Sequence, residues 1–297
     1  MNLPATLRQR LITPILLVCL AFGLTACSTT LGNLMQKPAP TGPGVEELEQ
    51  MGDSLRERGE LRMAYQQYEK ALNLRPNDPG LICKQGLVSL AADRKEDAMK
   101  EFNKAIAIAP NFALAYDGMG RVYFRKGDME KARDAFHMAV QLDATLWNSR
   151  NYLGLVYDRM GRHDTAIEIY KEAIELRPHD GSLYNNLGVS YTYKHEYEAA
   201  AAAFNRAIGL NYTDKQVYNN LGLALGQLHR YDAALEAFRK SGREAQALNN
   251  LGVVYLNQQQ YPQAIDVFEK AIELEPAFYV TAGENLKKAR IAMKQQQ

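Results

Sequence analysis

Asparagine pairs recur along the C-terminal half of the sequence: Asn185-Asn186, Asn219-Asn220 and Asn249-Asn250, with Asn151 ahead of them. An amide side chain both donates and accepts, so it matches the C=O and N–H of a peptide together. A row of them can hold an extended backbone without demanding a particular side-chain sequence. Other chemistry-bearing residues do not gather in this way. The five His are scattered, and His195-Glu196 is followed by Tyr, Glu and Ala, so no helical His pair at metal spacing arises. His195 and His229 are 34 residues apart, but the equivalent places elsewhere hold Gly59, Asp93, Gly127, Gly161 and Gln259. That mixture marks a turn that needs a left-handed residue, a conformation Gly, Asp and His tolerate best. Gly118-Met119-Gly120 lacks the further glycine of a phosphate-binding loop, and acid pairs such as Glu172 with Glu175 fall on outward helical faces. No catalytic residue, metal site or small-molecule substrate is expected, and the only non-protein group expected is a lipid. The chain is expected not to be an enzyme.

The elements that must position the asparagines are written as a repeat. Gly52, Gly86, Gly120, Gly154, Gly188 and Gly222 are spaced 34 apart, and Gly252 follows after 30. Twelve residues after each comes an alanine: Ala64, Ala98, Ala132, Ala166, Ala200, Ala234 and Ala264. Four further on comes an aromatic: Tyr68, Phe102, Phe136, Tyr170, Phe204, Phe238 and Phe268. Within one unit, Tyr184, Leu187, Gly188 and Tyr191 trace one helical face, and Ala200, Phe204 and Ala207 a second. The glycines and alanines let the two helices approach closely, so their regularity is a packing requirement.

A 34-residue period with small and aromatic residues at these offsets resembles the tetratricopeptide repeat (TPR). The resemblance covers residues 45–278 as seven units, 45–78, 79–112, 113–146, 147–180, 181–214, 215–244 and 245–278. It implies an all-α superhelical solenoid of helix-turn-helix repeats in which each unit touches only its neighbours. Residues 279–297 read as a capping helix and tail, with Leu286, Ala289 and Met293 on one face and Lys287, Lys288, Arg290 and Lys294 on the other. The sixth unit lacks four residues, about one helical turn, which predicts a local change of curvature between the sixth and seventh units. The first helices would line an inner face through unit positions 2, 5, 6, 9, 12 and 13. That places all seven asparagines on it, with Arg121, Arg125, Arg159 and Tyr193 as further candidates, and Cys83 as a small buried hydrophobe. The family's clamp for C-terminal carboxylates pairs Lys with Asn within one unit on this face; that pairing is absent, so its function is not carried over.

Residues 1–26 read as an export signal: Arg8 and Arg10 without an acid, an apolar run from Leu11 to Leu24 interrupted by Pro14, then small residues. The run is shorter than the 18 or more residues of a membrane-spanning helix. Leu24-Thr25-Ala26-Cys27 resembles the bacterial lipoprotein signal motif, which implies that Cys27 becomes the lipidated first residue of the mature chain. Ser28 follows it where an Asp typically marks inner-membrane retention, so the resemblance implies a Gram-negative outer membrane and a periplasmic location. With Cys19 removed and Cys27 lipidated, Cys83 is the one remaining thiol. Residues 28–44, rich in Pro and Gly, read as a tether that reaches at most ~60 Å extended and roughly 20–25 Å as a flexible coil. The chain carries 35 Lys+Arg against 34 Asp+Glu. Losing Arg8 and Arg10 leaves 33 basic residues against the same 34 acids. That balance argues against a nucleic-acid partner held by bulk charge.

The shortened unit, with Phe238-Arg239-Lys240-Ser241-Gly242 ahead of Asn249-Asn250-Leu251-Gly252, and the lipoprotein signal together resemble the TPR lipoproteins of tight-adherence (Tad/Flp) pilus assembly. The resemblance implies a scaffold that grips peptide segments of envelope proteins, with pilus or secretin subunits as the expected partners. A pilotin-like secretin assembly factor and an adaptor for peptidoglycan enzymes or proteases are the alternatives.

Overall fold

A computed structural model describes residues 42–275 and 279–296. Among these, every regular element is an α-helix. In chain order they are α1 (Val45–Glu57), α2 (Leu61–Leu74), α3 (Pro79–Ala91), α4 (Lys95–Ile108), α5 (Ala113–Lys126), α6 (Met129–Leu142), α7 (Trp147–Arg159) and α8 (His163–Leu176). There follow α9 (Gly181–Tyr193), α10 (Tyr197–Gly209), α11 (Lys215–Gln227), α12 (Tyr231–Ser241), α13 (Glu244–Asn257), α14 (Tyr261–Leu274) and α15 (Tyr279–Gln296). The signal-like segment, Cys27 and nearly all of the tether lie outside the described residues. No described helix is long and apolar enough to cross a membrane.

The helices pack as successive pairs, α1 with α2 through α13 with α14, each pair stacking on the next, and α15 closes the stack against α14 and α13. Inside each pair a ring from the second helix lies against a glycine of the first. A Cβ built on Gly52 would stand 2.4 Å from the Tyr68 ring, and one on Gly188 would stand 2.6 Å from Phe204. The five equivalent glycines meet Phe102, Phe136, Tyr170, Phe238 and Phe268 in the same way. All seven rings are fully buried, as are the alanines four residues before them. Gly188→Val is therefore expected to overpack the α9–α10 contact and lower stability by ~1–3 kcal/mol. Valine is the better probe because alanine would regain ~1 kcal/mol of helix propensity over glycine. Thermal unfolding followed by circular dichroism reads the effect; an unchanged midpoint would mean that the Phe204 ring can move aside.

The turns between paired helices explain the scattered histidines. Asp93, His195, His229 and Gln259 have φ of 58°, 60°, 58° and 60°, and Gly59, Gly127 and Gly161 occupy the same place with φ of 72–81°. His195 and His229 are turn residues, each with Nδ1 at 2.7 Å from the hydroxyl of a tyrosine two residues on. Between pairs, Asp78, Asp180 and Asp214 accept hydrogen bonds from backbone N–H groups that open α3, α9 and α11. This is the usual way to satisfy a helix start. The sixth pair departs from the pattern. Its α12 has 11 residues where α10 has 13 and α14 has 14. Only Gly242 and Arg243 join it to α13, and Arg243 provides no side-chain cap.

On α15, Ala282 and Ala289 are fully buried and Leu286 packs against the Phe268 cluster. Lys287, Lys288, Arg290 and Lys294 remain exposed.

Candidate peptide-binding face

First helices of neighbouring units touch one another, as α3 does α5, α5 does α7, α9 does α11 and α11 does α13. The second helices make no comparable approach. The first helices therefore line the tighter, inner side of the stack, and residues at unit positions 5 and 6 face along it.

The asparagines form diagonal links between units. Asn186 Nδ2 on α9 donates to Asn151 Oδ1 on α7 at 2.8 Å. Asn250 Nδ2 on α13 donates to Asn219 Oδ1 on α11 at 2.8 Å. Each link uses one donor and one acceptor site, so each pair keeps further N–H and lone-pair capacity. The intervening step from Asn185 to Asn220 has no such bond. Asn185 Nδ2 points instead to Asn186 Oδ1 at 3.4 Å, and its own Oδ1 is buried without a protein partner. Asn220 is half-buried. Asn249 corrects the expectation of an open ladder. It is 6% exposed, and its Oδ1 accepts from Asn285 Nδ2 of α15 at 3.0 Å. Its amide docks the last helix and is not open to a ligand. Asn285 itself escaped the reading of the sequence because it stands 36 residues beyond Asn249, outside the 34-residue register.

The arginines belong to a different patch, and Tyr193 stands apart from both. Arg121 pairs with Asp117 at 2.7 Å, and the other oxygen of Asp117 accepts from Ser149 Oγ at 2.7 Å. Asp117 is 4% exposed: it holds Arg121 within α5, and its hydrogen bond from Ser149 joins the third and fourth units, so the group is largely structural. Arg125 Nη1 donates to the Leu90 carbonyl at 2.6 Å. Arg159 lies over the Phe124 ring, 4.1 Å from its centroid, and Arg121 over Tyr152 at 5.0 Å. Tyr193 is exposed and stacks on His163 with centroids 4.7 Å apart. The structure thus brings Arg121, Arg125 and Arg159 together around Phe124 and Tyr152, and leaves them apart from the amide links at α11 and α13.

Two groups with chemical potential resolve as inert. Ser190, His163 and Asp158 come together, but Ser190 Oγ donates to one oxygen of Asp158 at 2.7 Å while His163 Nδ1 meets the other at 2.9 Å. A nucleophile needs its hydroxyl on the imidazole, and here the carboxylate stands between them. Cys83 is 2% exposed, and its thiol is pushed up to about 12, first by burial and then by the charge of Asp117. The thiolate that would react is not formed at neutral pH.

Missed in the sequence was a recess of about 940 Å³ between α11, the end of α12 and α13, with Lys215, Lys240 and Arg243 on its wall and Asn219 and Asn250 at its side.

Stacked helix pairs, each with a ring seated on a glycine, define a tetratricopeptide-repeat solenoid. A family model described as the Cilia and flagella-associated protein 70 C-terminal domain matches residues 23–250, and the tetratricopeptide repeat model matches residues 245–278. The chain belongs to this tetratricopeptide-repeat family. No curated protein matches it in sequence. Among solved structures it is similar to a chain of the APC/C hetero-tetramer Cut9-Hcn1, with a TM-score of 0.60 and 24% identity over 80% of this chain. The chain spans about half of that one, 48%. It is similar to YrrB, described as a TPR protein with an unusual peptide-binding site, with a TM-score of 0.52 and 24% identity over 63% of this chain and 97% of YrrB. It is also similar to Pseudomonas aeruginosa PilF, with a TM-score of 0.54 and 20% identity over 67% of this chain and 92% of PilF. At these identities the likeness is one of fold.

Proposed function

We propose that this chain is a non-enzymatic scaffold, anchored by lipid on Cys27 to the periplasmic side of the outer membrane, that holds peptide segments of partner proteins along its inner face during assembly of a Flp/Tad-type pilus or secretion apparatus. The observation that carries the peptide reading is the repeated amide link, Asn151 with Asn186 and Asn219 with Asn250. Two linked amides on adjoining helices offer donors and acceptors at two fixed points, which suits the alternating polar groups of an extended backbone. Burial of Asn249, and of the Oδ1 of Asn185, whose Nδ2 turns to Asn186, narrows the gripping set to Asn151, Asn186, Asn219, Asn220 and Asn250. The anchoring and pilus parts rest on the resemblances of the Cys27 segment and of the Phe238–Gly252 stretch.

The test is crosslinking capture from intact envelopes, comparing the parent with a variant carrying Asn186→Ala, Asn220→Ala and Asn250→Ala. Each broken amide link should cost ~1 kcal/mol of stability, so folding of the variant is checked by circular dichroism. A pilus or secretin component captured by the parent and lost from the folded variant is the expected result. Unchanged capture would move the partner to an outer face or an end of the stack.

A further inference from the structure

The four residues missing from the sixth unit leave a chemical mark on the inner face. Where α12 stops early and Gly242 and Arg243 lead directly into α13, the recess of about 940 Å³ opens beside the Asn219–Asn250 link. Its charged lining is of one sign: Lys215 from the start of α11, Lys240 from the end of α12, and Arg243 from the connection, with no acid among the lining residues. Lys215 and Lys240 are exposed, and neither has an ion-pair partner among the described residues. Arg243 pairs with Glu275. The neighbouring Glu244 is held by Arg239 through both carboxylate oxygens, at 2.7 and 2.8 Å. At the other end of the same face, cations are neutralised by the protein itself: Lys84 lies 2.7 Å from Glu49 and 2.5 Å from Asp53. Three of the connections end on an aspartate and this one on an arginine: Asp78, Asp180 and Asp214 precede α3, α9 and α11, whereas Arg243 precedes α13.

We infer that this recess takes the carboxylate side chains of an acidic stretch within an extended partner peptide whose backbone lies on the Asn219–Asn250 link. The inference rests on the groove reading above and names the partner's chemistry. The two unpaired cations, Lys215 and Lys240, stand on separate helices around the recess, with the Glu275-paired Arg243 beyond them, which suits several carboxylates spread along a chain better than one terminal carboxylate. Leu223 and Val253 supply an apolar floor for the side-chain stems. Each exposed ion pair adds modestly and is weakened by salt. Together they should favour an acidic over a neutral peptide by about tenfold.

Fluorescence anisotropy on the full-length protein in detergent tests this with three labelled probes: an alternating Ala-Glu peptide blocked at both ends, its Ala-Gln counterpart, and the Ala-Gln peptide with a free C-terminus. Tighter binding of the blocked Ala-Glu probe is expected, with the advantage shrinking in salt, lost in Lys215→Gln/Lys240→Gln and kept in Lys215→Arg/Lys240→Arg. Both lysines are exposed, so the variants should fold, and circular dichroism checks it. An acidic advantage that survives in folded K215Q/K240Q overturns the assignment, as does binding confined to the free C-terminus. If the blocked Glu and Gln probes bind equally and Asn219→Ala/Asn250→Ala weakens both, the acidic inference fails while the groove reading stands. If no probe binds, both fail.

Discussion

Phe204→Ala is expected to destabilise the array by about 3–5 kcal/mol, the range for emptying a buried aromatic site. The ring is fully buried, covers Gly188 and packs in a cluster with Ala200, Ala207, Val217 and Leu221. It therefore serves two contacts, the one inside the fifth unit and the one from the fifth to the sixth. In a stack where stability builds from units and nearest-neighbour interfaces, a defect in the fifth unit interrupts propagation along the array. The expected signature is a urea transition that moves to lower denaturant and broadens, with hydrogen-exchange protection falling first in α9, α10 and α11. A single sharp transition at the parental midpoint would show that the neighbours close over the vacated volume.

Cys27→Ser is expected to have the largest effect on location. Under the proposed anchoring, several acyl chains on one cysteine hold the protein to the membrane, since each buried CH₂ contributes ~0.8 kcal/mol and a single chain binds only marginally. A serine cannot carry them, so the variant should shift almost wholly from the membrane fraction to the soluble fraction of the envelope. The helical array should be unaltered, because Cys27 stands well before α1. Fractionation with mass spectrometry of the N-terminal peptide checks both points. A variant that stays in the membrane fraction after a high-salt wash would remove the lipid from the proposal.

Much of the fold was legible because packing forces it into the sequence. A ring seated against a glycine leaves room for no other residue, so Gly188 and Phe204 recur in register with Gly52 and Tyr68. The left-handed turn admits few residue types, which is why Asp93 and His229 read alike. The site was legible in position and not in bonding. The repeat places Asn151 and Asn186 on one face, but the diagonal link between position 5 of one unit and position 6 of the next comes from the stagger of neighbouring helices. Asn249 looked equivalent to Asn219, and only the packing of α15 separates them. The basic recess joins Lys215 to Lys240 across 25 residues of chain, beside the connection that the shortened unit leaves before α13. The signal for it is the shortened unit next to Arg239-Lys240, from which the sequence alone predicts only a change of curvature.

The amide links bridge α7 to α9 and α11 to α13, but no such bond bridges α9 to α11. The inner face of the junction between the fifth and sixth units thus lacks the polar tie carried by the junctions on either side. Bending at this joint strains neither amide link. A partner held on both links would feel the scaffold as an adjustable caliper, with its gap set at the joint between them.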